Sequence, residues 1–161
     1  MRKYSLFFLG MAVSFCFGFM FKGTFDQSKE SSTSVAKVVG IGGVFFKCKD
    51  PKQIKEWYKN QLGMDISPYY GAKFEWREKD YPSNIGTTLW TPFNEKTNYF
   101  QPSTKEFMIN YRVDDINTIY QNLKANGVTI LDTITGDEYG RFLHLLDPEG
   151  NKIELWQETQ K

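Results

Sequence analysis

The chain holds a single histidine, His144, in an apolar run over residues 141–146. A second run over residues 152–157 carries Glu154. Asp147, Pro148, Glu149 and Gly150 lie between them, with Pro preset for the second position of a tight turn and Gly tolerated at the fourth, so the two runs read as a hairpin. Strand alternation sends Leu143, Leu145, Ile153 and Leu155 to a core and leaves Phe142, His144, Lys152, Glu154 and Trp156 on the opposite face. A histidine beside a carboxylate has its cationic form favoured and can pass a proton near neutral pH, the least equipment that catalysis by His144 and Glu154 without a metal requires. The same pair serves equally as a buried ion pair that only fixes the hairpin, and both readings stay open.

These residues need elements to position them, and the chain supplies those elements twice. Residues 44–50 (VFFKCKD) and 109–115 (INYRVDD) each read as a strand ending in an acid, with Asp50 and Asp115 65 residues apart. Asp50 caps a helix with Pro51 in its first turn; Ile54, Trp57, Tyr58 and Leu62 form its apolar face, and Gly63 ends it. Asp114 or Asp115 caps the second, with Ile116, Ile119, Tyr120 and Leu123 facing inward until Gly127. Three strand-like stretches follow each helix, over residues 64–69, 73–77 and 86–91 and over 128–133, 141–146 and 152–157. The last of each set carries a Leu-Trp pair, Leu89-Trp90 and Leu155-Trp156, 66 residues apart. Near-constant spacing predicts a duplicated βαβββ module and an α+β fold.

The same alternation puts Val44, Phe46 and Cys48, like Ile109, Tyr111 and Val113, beneath the helices. The opposite face then holds Gly43, Phe45, Lys47, Met108, Asn110 and Arg112, joined by Thr88 and Trp90. On that face Phe45, Trp90, Met108 and Trp156 are candidate apolar walls, and Asn110 and Arg112 could orient an anionic or carbonyl ligand. The register of Glu75, Trp76 and Arg77 is not fixed by pattern.

Composition narrows the partners. The 40% hydrophobic content fills one ordinary domain, and near-equal acids and bases, net +1, leave no broad basic surface for nucleic acid. Aromatic residues at 17% suit either a dense β core or a pocket for flat, apolar ligands. Cys16 and Cys48 are the two cysteines, and Cys48, inside a strand pattern, reads as a small buried hydrophobe. Residues 1–35 read as a membrane anchor or signal segment plus tether. Arg2 and Lys3 precede an uncharged apolar run from Tyr4 to Phe21, which predicts a hydrophobic helix, and residues 27–34 (QSKESSTS) are a polar linker. The length of the apolar run and the lack of a small-x-small cleavage site predict an uncleaved anchor, or export, and the positive N-terminus puts the domain of residues 36–161 on the extracytoplasmic side.

The run YGRFLHLLDPEGNKIELWQ, residues 139–157, resembles the closing hairpin of the vicinal oxygen chelate superfamily, which includes glyoxalase, bleomycin-resistance proteins and extradiol dioxygenases. GIGGVFF from Gly40, Trp57-Tyr58 and Leu62-Gly63-Met64 resemble the opening strand and helix of its glyoxalase-like branch. The resemblance implies a cupped mixed sheet with helices outside. It leaves the reaction open, because one scaffold serves lyases, oxygenases and passive binders.

Catalytic members hold a divalent metal on four inward side chains. Those positions map to Gly43, Met108, Thr88 and Glu154, and only Glu154 is a good ligand, whereas such ions normally take about three or more protein ligands. The expectation is therefore no metal and no cofactor, with a divalent ion disfavoured. Small-molecule binding in the cup at the cell envelope comes first. The alternatives are a glyoxalase-like lyase or isomerase acting on a small carbonyl compound, with or without metal, and a non-catalytic packing module. The sequence leaves a homodimer open.

Overall fold

The computed structural model describes residues 35–79 and 81–159. The apolar helix and most of the tether expected ahead of Val35 lie outside the described residues. The elements follow in the order β1 (Val38–Cys48), α1 (Pro51–Leu62), β2 (Ile66–Ser67), β3 (Gly71–Arg77), β4 (Ile85–Asn94), β5 (Phe107–Val113), α2 (Ile116–Ala125), β6 (Thr135–Asp137), β7 (Gly140–Leu146) and β8 (Lys152–Glu158). This is βαβββ twice over. The strands form one mixed sheet of eight in the order β2-β3-β4-β1-β5-β8-β7-β6. Each module closes through a parallel pair, β1 with β4 and β5 with β8, and the modules join by antiparallel pairing of β1 with β5.

Both helix starts are capped as the acids predict. Asp50 accepts from the backbone N–H of Lys52 and Gln53 at 2.9 and 3.0 Å, and Asp115 from Asn117 and Thr118 at 3.0 and 3.2 Å. Gly63 ends α1 in the left-handed conformation, φ 66°, which costs glycine nothing. The two modules are nevertheless packed unequally. Beneath α2, Val113, Ile116, Leu143, Leu145 and Leu155 form a buried cluster. Helix α1 has no buried residue; Ile54 and Tyr58 are half-buried, while Trp57 and Leu62, expected on its inner face, are 51% and 61% exposed. A second cluster, Phe45, Phe100 and Met108 with Leu89 and Phe93 against it, sits on the other side of the sheet.

Two sequence expectations shift. Residues 128–133 do not form a strand: Ile130 makes an isolated bridge to Leu145, and the short strand of that module is β6, three residues ending at Asp137. The repeat is also offset in its last strand. β8 sets Glu154 opposite Asn110, whereas β4 sets Thr91 opposite Phe45, and Phe45 lies as far before the cap Asp50 as Asn110 lies before Asp115. Thr91, not Thr88, is therefore the counterpart of Glu154, and matching the Leu-Trp pairs misreads the register. β1 carries a register irregularity between Ile41 and Gly43, and it is paired to β4 only from Gly43 onward. Before that point the Thr88 hydroxyl bridges the strands by donating to the Ile41 carbonyl at 2.5 Å. Among the described residues no helix is long and apolar enough to cross a membrane.

Unequal packing predicts unequal mutational cost. Leu143→Ala, at a fully buried site, should destabilise by about 2–5 kcal/mol in denaturant unfolding. Leu62→Ala, on the exposed end of α1, should stay within about 0.5 kcal/mol.

Candidate functional site

Glu154 projects from the middle of β8 and is 3% exposed. A carboxylate taken out of water needs donors to replace it, and here three converge. Asn110 Nδ2 donates to Oε1 at 2.6 Å from the adjacent β5. His144 Nε2 lies 2.8 Å from Oε2 from the facing position on β7, and the Tyr99 hydroxyl donates to the same oxygen. His144 is itself held on its far side. Asp132 Oδ2 lies 2.6 Å from Nδ1, while Oδ1 accepts from the His144 backbone N–H at 2.9 Å. The result is one chain, Asp132–His144–Glu154, closed by Tyr99 and Asn110.

The charges follow from these contacts. Burial alone would raise Glu154, but the hydrogen bonds from His144, Tyr99 and Asn110 outweigh it and hold the carboxyl below its ordinary value. Burial alone would lower His144, but its bonds to Glu154 and Asp132 prevail and hold the imidazole above its ordinary 6.5. In the imidazolium form both ring nitrogens donate, each to a carboxylate. Burial first, then the charge and hydrogen bond of Glu154, push the Tyr99 phenol far up, so it stays a donor. Lys152, one turn of the pleat from Glu154, sits beneath Tyr99: its Nζ donates to the Tyr99 carbonyl at 2.6 Å and lies 4.9 Å from the ring centre.

An open cleft of about 730 Å³ lies over this floor, its polar atoms including those of His144, Glu154 and Tyr99. Phe45, Phe93 and Phe142 wall it, with Tyr69 and Tyr70 also on its border. Phe93 is stacked on Tyr99, centroids 5.6 Å apart and planes 7° apart. Residues of β4 and of β6 and β7 border the same cleft although three strands separate β4 from β7 in the sheet, so the sheet must curl about it.

The structure therefore brings together some candidates and disperses others. Phe45, His144 and Glu154 border the cleft. Met108 is fully buried against Phe45 and Phe100, and Asn110 is buried with its amide committed to Glu154. Arg112, expected to meet an anionic ligand, is already neutralised. Its Nη1 lies 2.6 Å from Glu158, its Nη2 4.0 Å from Glu78, and its guanidinium sits between the rings of Trp76 and Trp156 at 6.0 and 5.2 Å. Trp156 is buried behind Phe142, the two rings parallel and 6.4 Å apart. Trp90 turns the other way: it packs on Phe46 and on Tyr58 of α1, because the register of β4 places it beside Val44. Tyr99, Asp132 and Phe93 were not anticipated. Tyr99 comes from the segment joining the modules, and Phe93 extends β4 beyond the run that pattern marks out.

A family model of the Glyoxalase/Bleomycin resistance protein/Dioxygenase superfamily matches residues 40–155. The chain belongs to this superfamily. No match is found among curated proteins. Among solved structures, a Streptomyces coelicolor methylmalonyl-CoA epimerase variant in complex with 2-nitronate-propionyl-CoA is similar at 15% identity and TM-score 0.57, covering 77% of this chain and all of that one. A Mycobacterium tuberculosis methylmalonyl-CoA epimerase gives 19% identity and TM-score 0.51, covering 80% and 93%. At these identities the likeness concerns the fold.

The superfamily's metal can be tested against the residues present. A side chain at Gly43 would run into the Phe45 ring, and the Met108 thioether is sealed in the core. Thr91 offers one hydroxyl, and Glu154 is engaged by three donors. Among the described residues no group of three or more His, Cys, Asp or Glu could hold an ion. This donor set does not fit a divalent metal.

Because His144 is the one histidine, its titration is directly readable by NMR. Its pKa should lie above 6.5, and Glu154→Gln should lower it. Stability from His144, whose folded pKa is raised, is present at low pH and lost as pH rises through that folded value; stability from Glu154, whose folded pKa is lowered, is lost as pH falls through its own. The network is thus most stabilising between the two, and thermal unfolding scanned against pH should show a plateau whose alkaline-side fall disappears in His144→Gln, at a lower overall Tm.

Proposed function

We propose that this domain binds a small, flat, largely apolar molecule in the cup of the sheet without the aid of a metal. The observation that carries the reading is the closed floor beneath an aromatic-walled cleft, where Glu154 is held ionised by three donors. A carboxylate with a lowered pKa is a weak base, and an imidazolium with both N–H groups engaged has no lone pair with which to accept a proton. Such a group anchors and shapes a pocket better than it turns over substrate. The apolar run from Tyr4 to Phe21 supports placing the domain at the cell envelope, tethered on the extracytoplasmic side.

A second reading has one observation in its favour. Asp132 orients His144 towards Glu154, an arrangement that would serve metal-free proton transfer on a small carbonyl compound of the kind that a glyoxalase-like lyase or isomerase handles. It is the weaker reading, since it needs the network to open first.

Thermal unfolding of the folded domain against a panel of one- and two-ring aromatic compounds tests the binding reading. We expect a rise in Tm with at least one class, abolished by Phe93→Ala, and much less than one equivalent of metal in protein purified without an affinity tag. A flat response across the panel, or a stoichiometric metal, would contradict it.

A further inference from the structure

The hydrogen-bonding capacity of the cleft floor is unevenly spent. On the floor itself the donor atoms of His144, Tyr99 and Asn110 each have a taker, while the hydroxyls of Thr91, Thr135, Tyr69 and Tyr70 on the border can both donate and accept. His144 Nδ1 is matched to Asp132 and Nε2 to Glu154; the Tyr99 O–H and the Asn110 amide both go to Glu154. Lys152 lies beneath the Tyr99 ring, donates to the Tyr99 carbonyl and does not border the cleft. What the floor retains is acceptor capacity. The Tyr99 oxygen keeps lone pairs, Glu154 Oε1 takes a single bond from Asn110, and Asp137, on the cleft border, accepts at Oδ1 alone, from the Tyr139 N–H. Three carboxylates, Glu154, Asp132 and Asp137, act together on the Tyr99 hydroxyl, with the His144 imidazolium between two of them. Above the floor stand the rings of Phe45, Phe93 and Phe142, and aromatic faces are attractive to cations. The one ammonium on the border, Lys55, is half-buried and bonded to the Pro68 carbonyl. Of the other cations of the cup face, Lys47 lies over the Phe100 ring at 5.6 Å and does not border the cleft, and Arg112 is neutralised by Glu158 and Glu78 away from it.

From this imbalance we propose that the cleft selects a ligand that donates hydrogen bonds: an aromatic amine, or another planar N–H or ammonium compound, and not a carboxylate, phosphate or enediolate. This deepens the binding reading above and rests on it. An incoming oxyanion would meet acceptors and the carboxylates of Glu154 and Asp137, and an acceptor–acceptor contact is costly. An incoming ammonium finds the acceptors already placed.

The test uses two probes with the same ring and a similar short chain, phenethylammonium and 3-phenylpropanoate, titrated into the folded protein near neutral pH and followed by calorimetry or protein NMR. We expect the ammonium to bind at least about ten-fold more tightly. Asp137→Asn, at an exposed position, should reduce that preference several-fold, by weakening the ammonium and strengthening the carboxylate, while leaving the unfolding temperature unchanged. Equal or tighter binding of 3-phenylpropanoate would overturn the inference and leave small-molecule binding standing. An ammonium preference that Asp137→Asn and Glu154→Gln both leave intact would also overturn it, since the selectivity would then come from elsewhere. Binding of neither probe would remove the cleft reading and the inference with it.

Discussion

The structure turns on how a single carboxylate is kept buried. Glu154 sits in the middle of β8, where the modules' parallel and antiparallel pairings meet, and burial makes its charge expensive unless donors surround it. Those donors come from three separate places: Asn110 on the neighbouring strand, His144 on the hairpin partner, and Tyr99 on the segment that links the modules. Satisfying Glu154 thereby ties the second module to the crossover between the two. Asp132 and Lys152 complete the arrangement, one orienting His144 and the other fixing the backbone of Tyr99.

That constraint also decides what the cup can do. In a metal-bearing member of the superfamily an inward carboxylate would have to leave lone pairs for an ion. Here glycine and a buried thioether stand at two of the positions, and the remaining carboxylate is engaged by side-chain donors. The concave face is divided accordingly. One part is filled by the protein's own side chains, with Arg112 set between Trp76 and Trp156, and the other is open and walled by Phe45, Phe93, Tyr99 and Phe142. Glycine is essential to the filled part, since a Cβ at Gly40 or Gly86 would occupy the space of the Trp76 ring.

Local chemistry was legible in the sequence because it depends on neighbours along the chain. The caps Asp50 and Asp115, the Asp147–Gly150 turn and the alternation that pairs His144 with Glu154 all act within a few residues, and each stands where the pattern indicates. Register across strands was less legible. The Leu-Trp pairs look equivalent, yet β4 pairs with β1 in a register that sets Trp90 beside Val44, facing α1, and Thr91 opposite Phe45. Tyr99 and Asp132 carried no signal as site residues: Tyr99 reaches His144 and Glu154, and Asp132 reaches His144, only through the tertiary fold, Tyr99 from a segment without periodicity and Asp132 from a stretch that reads as a strand and does not form one. The apolar face of α1 was overread, because periodicity marks which residues could be buried and not how closely the helix approaches the sheet.

The claim that Glu154 is an anchor held ionised by its donors is tested most directly by following its side-chain carboxyl carbon through a pH titration by NMR. The account predicts a midpoint below the ordinary glutamate value of 4.5, despite burial, with the Tyr99 ring unchanged up to strongly alkaline pH. A midpoint at or above 4.5 would mean that burial outweighs the three donors, and would contradict the floor from which the binding reading is built.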